Sequence, residues 1–98
     1  MIDWPFDQQE NCAAITTKGI VFEGEPILLV FHDADDHGWQ FLGMGAFDKE
    51  NSAIVSMSDI VKLDSTVLEV AHMEPGWFAS REHVGAKWNI EKSKDQGS

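Results

Sequence analysis

One stretch governs what this chain can fold into. Residues 27–45, ILLVFHDADDHGWQFLGMG, run five apolar side chains into an acid-rich turn that holds two histidines, and a Trp-Gln-Phe-Leu segment carries the chain back out. An unbroken apolar run of this length suits a strand covered on both faces, whereas Trp39 and Phe41 on either side of Gln40 give the alternation of a half-buried strand. The pattern predicts a β-hairpin at the centre of a sheet, with residues 32–38 as its tip.

The flanking segments supply the rest of the sheet and its cover. Small and β-branched residues at 12–17 read as a strand, and Glu23-Gly24-Glu25-Pro26 reads as a turn, so a first hairpin is expected between 12–22 and 27–32. A further short strand is expected at 53–56. Beyond it, Ser56 to Asp59 place hydroxyls and an acid ahead of Ile60, Leu63, Val67, Leu68 and Ala71, which recur at helical spacing. Asp64-Ser65-Thr66 interrupts that series with residues that favour helix caps, so two short helices, 58–63 and 65–72, are expected in place of one. Pro75-Gly76 ends the second, and 77–81 form a last strand. The expected architecture is an α+β domain: an antiparallel sheet of four or five strands, meandering through its first three, with two short helices packed on one face. Residues 1–91 make a single domain, in which 1–11 is a lead-in docked through Trp4 and Phe6, and 92–98 is a disordered tail. Trp39→Ala and Leu68→Ala are expected to destabilise strongly and Thr16→Ala much less, because only the first two remove large apolar side chains.

Charge narrows the class of partner. Of 17 acids, 14 lie in residues 1–75 beside only three lysines, and the whole chain carries a net charge of −10. A field of that sign repels nucleic acid and anionic membrane; it serves solubility, or else steers the chain toward a basic partner. The first residues lack the positive start and apolar run of a signal peptide, and no apolar run reaches membrane-spanning length, so a cytoplasmic location is expected. Cys12 is the only cysteine, which excludes an internal disulfide and suits a reducing compartment.

Chemistry is concentrated in the hairpin tip. His32, Asp33, Asp35, Asp36 and His37 put two imidazoles and three carboxylates within six residues, a donor set that zinc or manganese accepts. The spacing matches no standard site and no glutamate stands in a helical His-Glu-x-x-His arrangement. Turn chemistry explains the same residues, since Asp side chains bond their own backbone in turns and Gly38 tolerates positive φ. The leading expectation is therefore a protein without catalytic residues, metal or cofactor, and the alternative is a metal-binding protein or small metal-dependent enzyme built on the His32–His37 turn. Trp77 and Trp88, late in the chain, become anchors for a partner if exposed. A homodimer with a purely structural role, favoured by exposed apolar area around the tryptophans, is the third reading. Arg81, the only arginine, is expected to pair with a nearby acid.

Three segments together resemble the immunity protein 33 family of small bacterial domains. The first, Cys12 to Ile27, ends in the acid-Gly turn Glu23-Gly24; the second is Asp36-His37-Gly38-Trp39-Gln40-Phe41 with a following glycine; the third runs from Ser56 through Asp64 and Pro75-Gly76 to Ala79 and Arg81. None is a catalytic motif. The resemblance implies a protein whose work is binding: a toxin-neutralising immunity protein that meets a basic toxin through an acidic surface. Joined to the charge pattern, it directs attention to Asp33, Asp35, Asp36 and His37 of the tip, with Trp39 or Trp77 as aromatic neighbour.

Overall fold

The computed structural model describes residues 4–43 and 49–92. Six strands form one mixed sheet, with β1 at Ala13–Thr17, β2 at Leu29–His32, β3 at Trp39–Leu42, β4 at Ser52–Ser56, β5 at Trp77–Ser80 and β6 at Asn89–Lys92. Their order across the sheet is β4-β1-β3-β2-β5-β6. The central hairpin is present: β2 and β3 pair antiparallel from Leu29 opposite Leu42 to His32 opposite Trp39, and they hold the two middle places.

The expected first hairpin does not form. Thr17 ends β1 and caps a helix, α1 at Lys18–Glu23, by accepting the Ile20 amide at 3.2 Å on its hydroxyl. Gly24 closes that helix at φ 72°, a left-handed conformation that costs a glycine little. The helix buries Ile20 in the core, and β1 pairs parallel with β3 and antiparallel with β4, not with β2. The opening meander is thus replaced by a β1 inserted between β3 and β4, and the sheet is mixed rather than purely antiparallel. The strand count is six because β6 pairs with β5 from Ser80 opposite Asn89 to Trp77 opposite Lys92. Lys92 accordingly belongs to a strand rather than to a tail; residues 93–98 and 1–3 lie outside the described residues.

The helical region follows the sequence closely. Helix α2 at Met57–Leu63 starts in a capping box, in which the Ser56 hydroxyl accepts the Asp59 amide and the Asp59 carboxylate accepts the Ser56 amide. Asp64 ends it and caps the next element, a 3-10 helix at Ser65–Val70. Both bury apolar side chains, Met57 and Ile60 from the first and Val67 and Val70 from the second. Phe6 from the lead-in enters the same cluster, edge-on to Trp39 with centroids 4.9 Å apart.

All of this packing lies on one face of the sheet. Ala14, Val30, Trp39, Phe41 and Ala79 belong to the core cluster, and Thr16 and His32 are buried beside them. Thr16 is there for a reason: its hydroxyl donates to the Phe41 carbonyl at 2.7 Å, joining β1 to β3 inside the core. The opposite face carries Ile15, Leu29, Phe31, Leu42, Ile54 and Phe78, none of which belongs to that cluster; Ile15 and Ile54 are exposed, Leu29, Phe31 and Phe78 half-buried, and Leu42 buried. The strand at 27–31 is expected to be covered on both faces; one face lies in the core, and on the other Leu29 and Phe31 are half-buried, Leu29 opposite buried Leu42. Among the described residues, no helix is long and apolar enough to cross a membrane.

Candidate functional site

The hairpin tip is closed by its own backbone. The Asp33 amide donates to the Gly38 carbonyl at 2.8 Å, and Asp36 Oδ1 accepts the Gly38 amide at 2.8 Å in an Asx turn. The positive φ falls on His37, at 58°, and not on Gly38. His37 tolerates it because its carbonyl is held by Gln8 Nε2 at 3.0 Å while its ring lies in solvent. Asp35 and Asp36 are exposed as well. Asp33 is half-buried and accepts both carboxylate contacts from Gln40 Nε2, at 3.1 and 2.9 Å, on the face of the sheet opposite the core.

Trp39, expected as a contact residue if exposed, does not reach the surface. It is 1 % exposed, and its side chain lies on the covered face of β3, where the strand alternation seen in the sequence puts it. Its indole Nε1 donates to Asp7 Oδ1 at 3.0 Å, so its one polar atom is satisfied inside the fold. The other Asp7 oxygen lies 3.2 Å from His32 Nε2, within ion-pair distance but outside hydrogen-bonding geometry. His32 stacks on Trp39 with centroids 4.0 Å apart, and its Nδ1 is 2.7 Å from the Met73 carbonyl. A carbonyl only accepts, so Nδ1 carries the proton. The carboxylate from the lead-in thus lies beside both rings under the hairpin tip and is hydrogen-bonded to Trp39.

The five potential ligands of the turn are dispersed by this arrangement. His32 faces the core and His37 faces solvent, with ring centroids 6.2 Å apart. Among the described residues, no three His, Cys, Asp or Glu side chains converge as metal ligands would.

Trp77 stands beside the tip. It pairs with His32 across β2 and β5, is half-buried, and forms one wall of a cleft of about 520 Å³ with His72, Met73, Glu74 and Ile90. The exposed Glu74 carboxylate and the Trp77 ring together suit an aliphatic ammonium side chain, whose stem packs on the apolar wall while its charge meets the acid. Glu74 and Ile90 carry no signal in the sequence, because the loop and the edge strand that bring them together are defined only by the pairing of β5 with β6.

Arg81 is a structural group. Buried at the end of β5, it gives Nε and Nη2 to the Ile27 carbonyl at 3.1 and 2.9 Å, Nη1 to the Thr66 hydroxyl at 2.9 Å, and Nη2 to Asp64 Oδ2 at 2.6 Å. The half-buried Trp88 ring lies 4.2 Å from its guanidinium carbon, which makes Trp88 a lid over this cation and not a free anchor. Burial alone would raise the Asp64 carboxyl, but hydrogen bonds from the Thr66 hydroxyl and amide, with the Arg81 guanidinium, outweigh it and hold the group below its ordinary value of 3.8.

No family model, no curated protein and no solved structure matches the chain.

Proposed function

We propose that this protein is a non-enzymatic binding protein that neutralises a basic protein partner, of the kind a bacterial immunity protein meets in its toxin. The observation that carries the reading is the hairpin tip: exposed Asp35 and Asp36, with Asp33 behind them, project from a closed and hydrogen-bonded turn on a chain of net charge −10. A rigid, solvent-facing acidic projection raises the encounter rate with a basic surface and loses little entropy on binding. The resemblance to immunity protein 33 supplies the biological class, and the Trp77–Glu74 cleft supports the chemistry of a lysine or arginine approaching the same end of the sheet.

Co-expression with the product of the adjacent gene tests the proposal directly, through pull-down and rescue of growth. Association should slow as salt rises, because screening acts over about 8–10 Å at physiological ionic strength. Reversal of Asp33, Asp35 and Asp36 to Lys should lower the association rate and leave the melting midpoint almost unchanged. Neither binding nor protection against neighbouring gene products, across several loci, would remove the immunity reading.

A further inference from the structure

The register of the six strands aligns one row of side chains straight across the face of the sheet opposite the core. Ile54 of β4 is opposite Ile15 of β1, Ile15 opposite Gln40 of β3, Gln40 opposite Phe31 of β2, Phe31 opposite Phe78 of β5, and Phe78 opposite Glu91 of β6. Ile54 is 72 % and Ile15 37 % exposed, and Phe31 and Phe78 stack on each other with centroids 5.6 Å apart. Strand spacing makes the row roughly 24 Å long. Solitary exposed apolar residues need no explanation, but a row in register across a whole sheet does.

Charge decides what covers it. Among the described residues, the outward positions within the strands and one residue beyond them hold Asp33 and Glu91 and no Lys, Arg or His, and exposed Asp35 and Asp36 stand beyond Asp33 at the tip. A second copy would bring another −10 against that border. The face is also too small for a stable dimer, since strands of four or five residues give it a few hundred Å² against the roughly 800 Å² per partner of a standard interface. A basic protein suffers neither objection, because it is attracted by the border and can extend its contact onto the tip.

We infer that this outer row is an anchoring surface for a basic protein, whose apolar side chains pack across it from Ile54 to Phe78 while its lysines and arginines meet Asp33, Asp35, Asp36 and Glu91. The inference rests on the reading of a basic partner given above and assigns the apolar part of that contact to the sheet face, in place of a tryptophan. Ile54 and Ile15 supply the accessible apolar area, and the stacked phenylalanines give a rigid centre.

The test uses the whole chain and two probes: a synthetic peptide of alternating leucine and lysine, and the product of the adjacent gene. The peptide should bind with amide shifts spread over β4, β1, β2 and β5, and Ile15→Ser/Ile54→Ser should weaken it at least tenfold with no change in the melting midpoint. Ile54→Asp, at the most exposed position of the row, serves if the double variant folds poorly. Absence of peptide binding, undiminished binding to these variants, or shifts confined to the Trp77 cleft would overturn the assignment. So would a sedimenting dimer that Ile54→Asp dissociates, which would give the face to a second copy. An adjacent-gene product that binds these variants as well as the parent keeps the functional reading and removes the face; peptide binding to the row with no toxin recognised does the reverse.

Discussion

The Arg81 guanidinium reaches the Asp64 carboxylate at 2.6 Å with 1 % of its own side chain exposed, and through that contact the end of β5 is tied to the junction between α2 and the 3-10 helix. The same cation holds the Ile27 carbonyl, so three separate segments meet at one side chain.

Arg81→Met is expected to destabilise by about 1–3 kcal/mol, because it leaves the buried Ile27 carbonyl and the half-buried Asp64 Oδ2 without their donor. Arg81→Lys should recover little, since a single ammonium cannot span Ile27, Thr66 and Asp64 as the planar fork does. Urea melts of both variants measure this, and a lysine variant as stable as the parent would show that one contact suffices.

Asp64 gives the same cluster a pH signature. Its carboxyl lies below the ordinary value of 3.8 in the folded protein, so the unfolded chain binds its proton first as pH falls. The stabilisation is complete above the unfolded value and is lost as pH drops through the folded one. Between pH 5 and pH 2 the parent should therefore lose more stability than Asp64→Asn, while above pH 5 the asparagine variant should be the less stable of the two. Parallel curves for the two proteins over that acid range would contradict this.

Thr16 and Leu68 exchange the ranks that their residue types suggest. Thr16 is fully buried and donates to the Phe41 carbonyl, so Thr16→Ala is expected to cost about 1–3 kcal/mol for the donor it removes, while Leu68 is only half-buried and its truncation should cost less than that of buried Trp39, about 3–5 kcal/mol. Denaturant midpoints of the three alanine variants give the order directly.

Asp7 holds the lead-in to the body by accepting the Trp39 indole N–H, beside His32. Asp7→Ala should loosen residues 4–8, raising their amide exchange, and cost about 1–3 kcal/mol for the indole donor left unpaired. Asp7→Asn keeps an oxygen for Trp39 and turns an amide donor toward His32, so most of the loss should be recovered. Equal exchange in the alanine variant and the parent would mean that Phe6 alone secures the segment.

Most local signals in the sequence carried over into the structure and long-range ones did not; the Glu23–Pro26 turn signal is the exception, since Gly24 closes α1 instead of a hairpin. The hairpin at β2 and β3, the capping box at Ser56, the break at Asp64 and the strand after Gly76 each depend on neighbouring residues, and each is found where its pattern stands. The parallel contact of β1 with β3 depends on residues far apart in the chain, and α1 is only six residues long, too short for its apolar period to show beside the β-branched run before it. At the candidate site the exposed acids were legible as turn residues. The burial of Trp39 was legible too, in its alternation with Gln40, whereas the Asp7 contact and the cleft beside Trp77 exist only through tertiary packing.

The place of β1 also bears on how the chain is assembled during synthesis. Its two sheet neighbours are both made after it, so as it leaves the ribosome it has nothing to pair with, whereas β2 and β3 can join as soon as Leu42 is out. Until β4 arrives, one edge of β1 stays open and its buried Ala14 and Thr16 lack their final cover. Nascent chains stalled before residue 56 should therefore be cut by protease within residues 13–23, and chains stalled after the 3-10 helix should resist. Cleavage that is equal at both stall points would mean that β1 docks without waiting for its second neighbour.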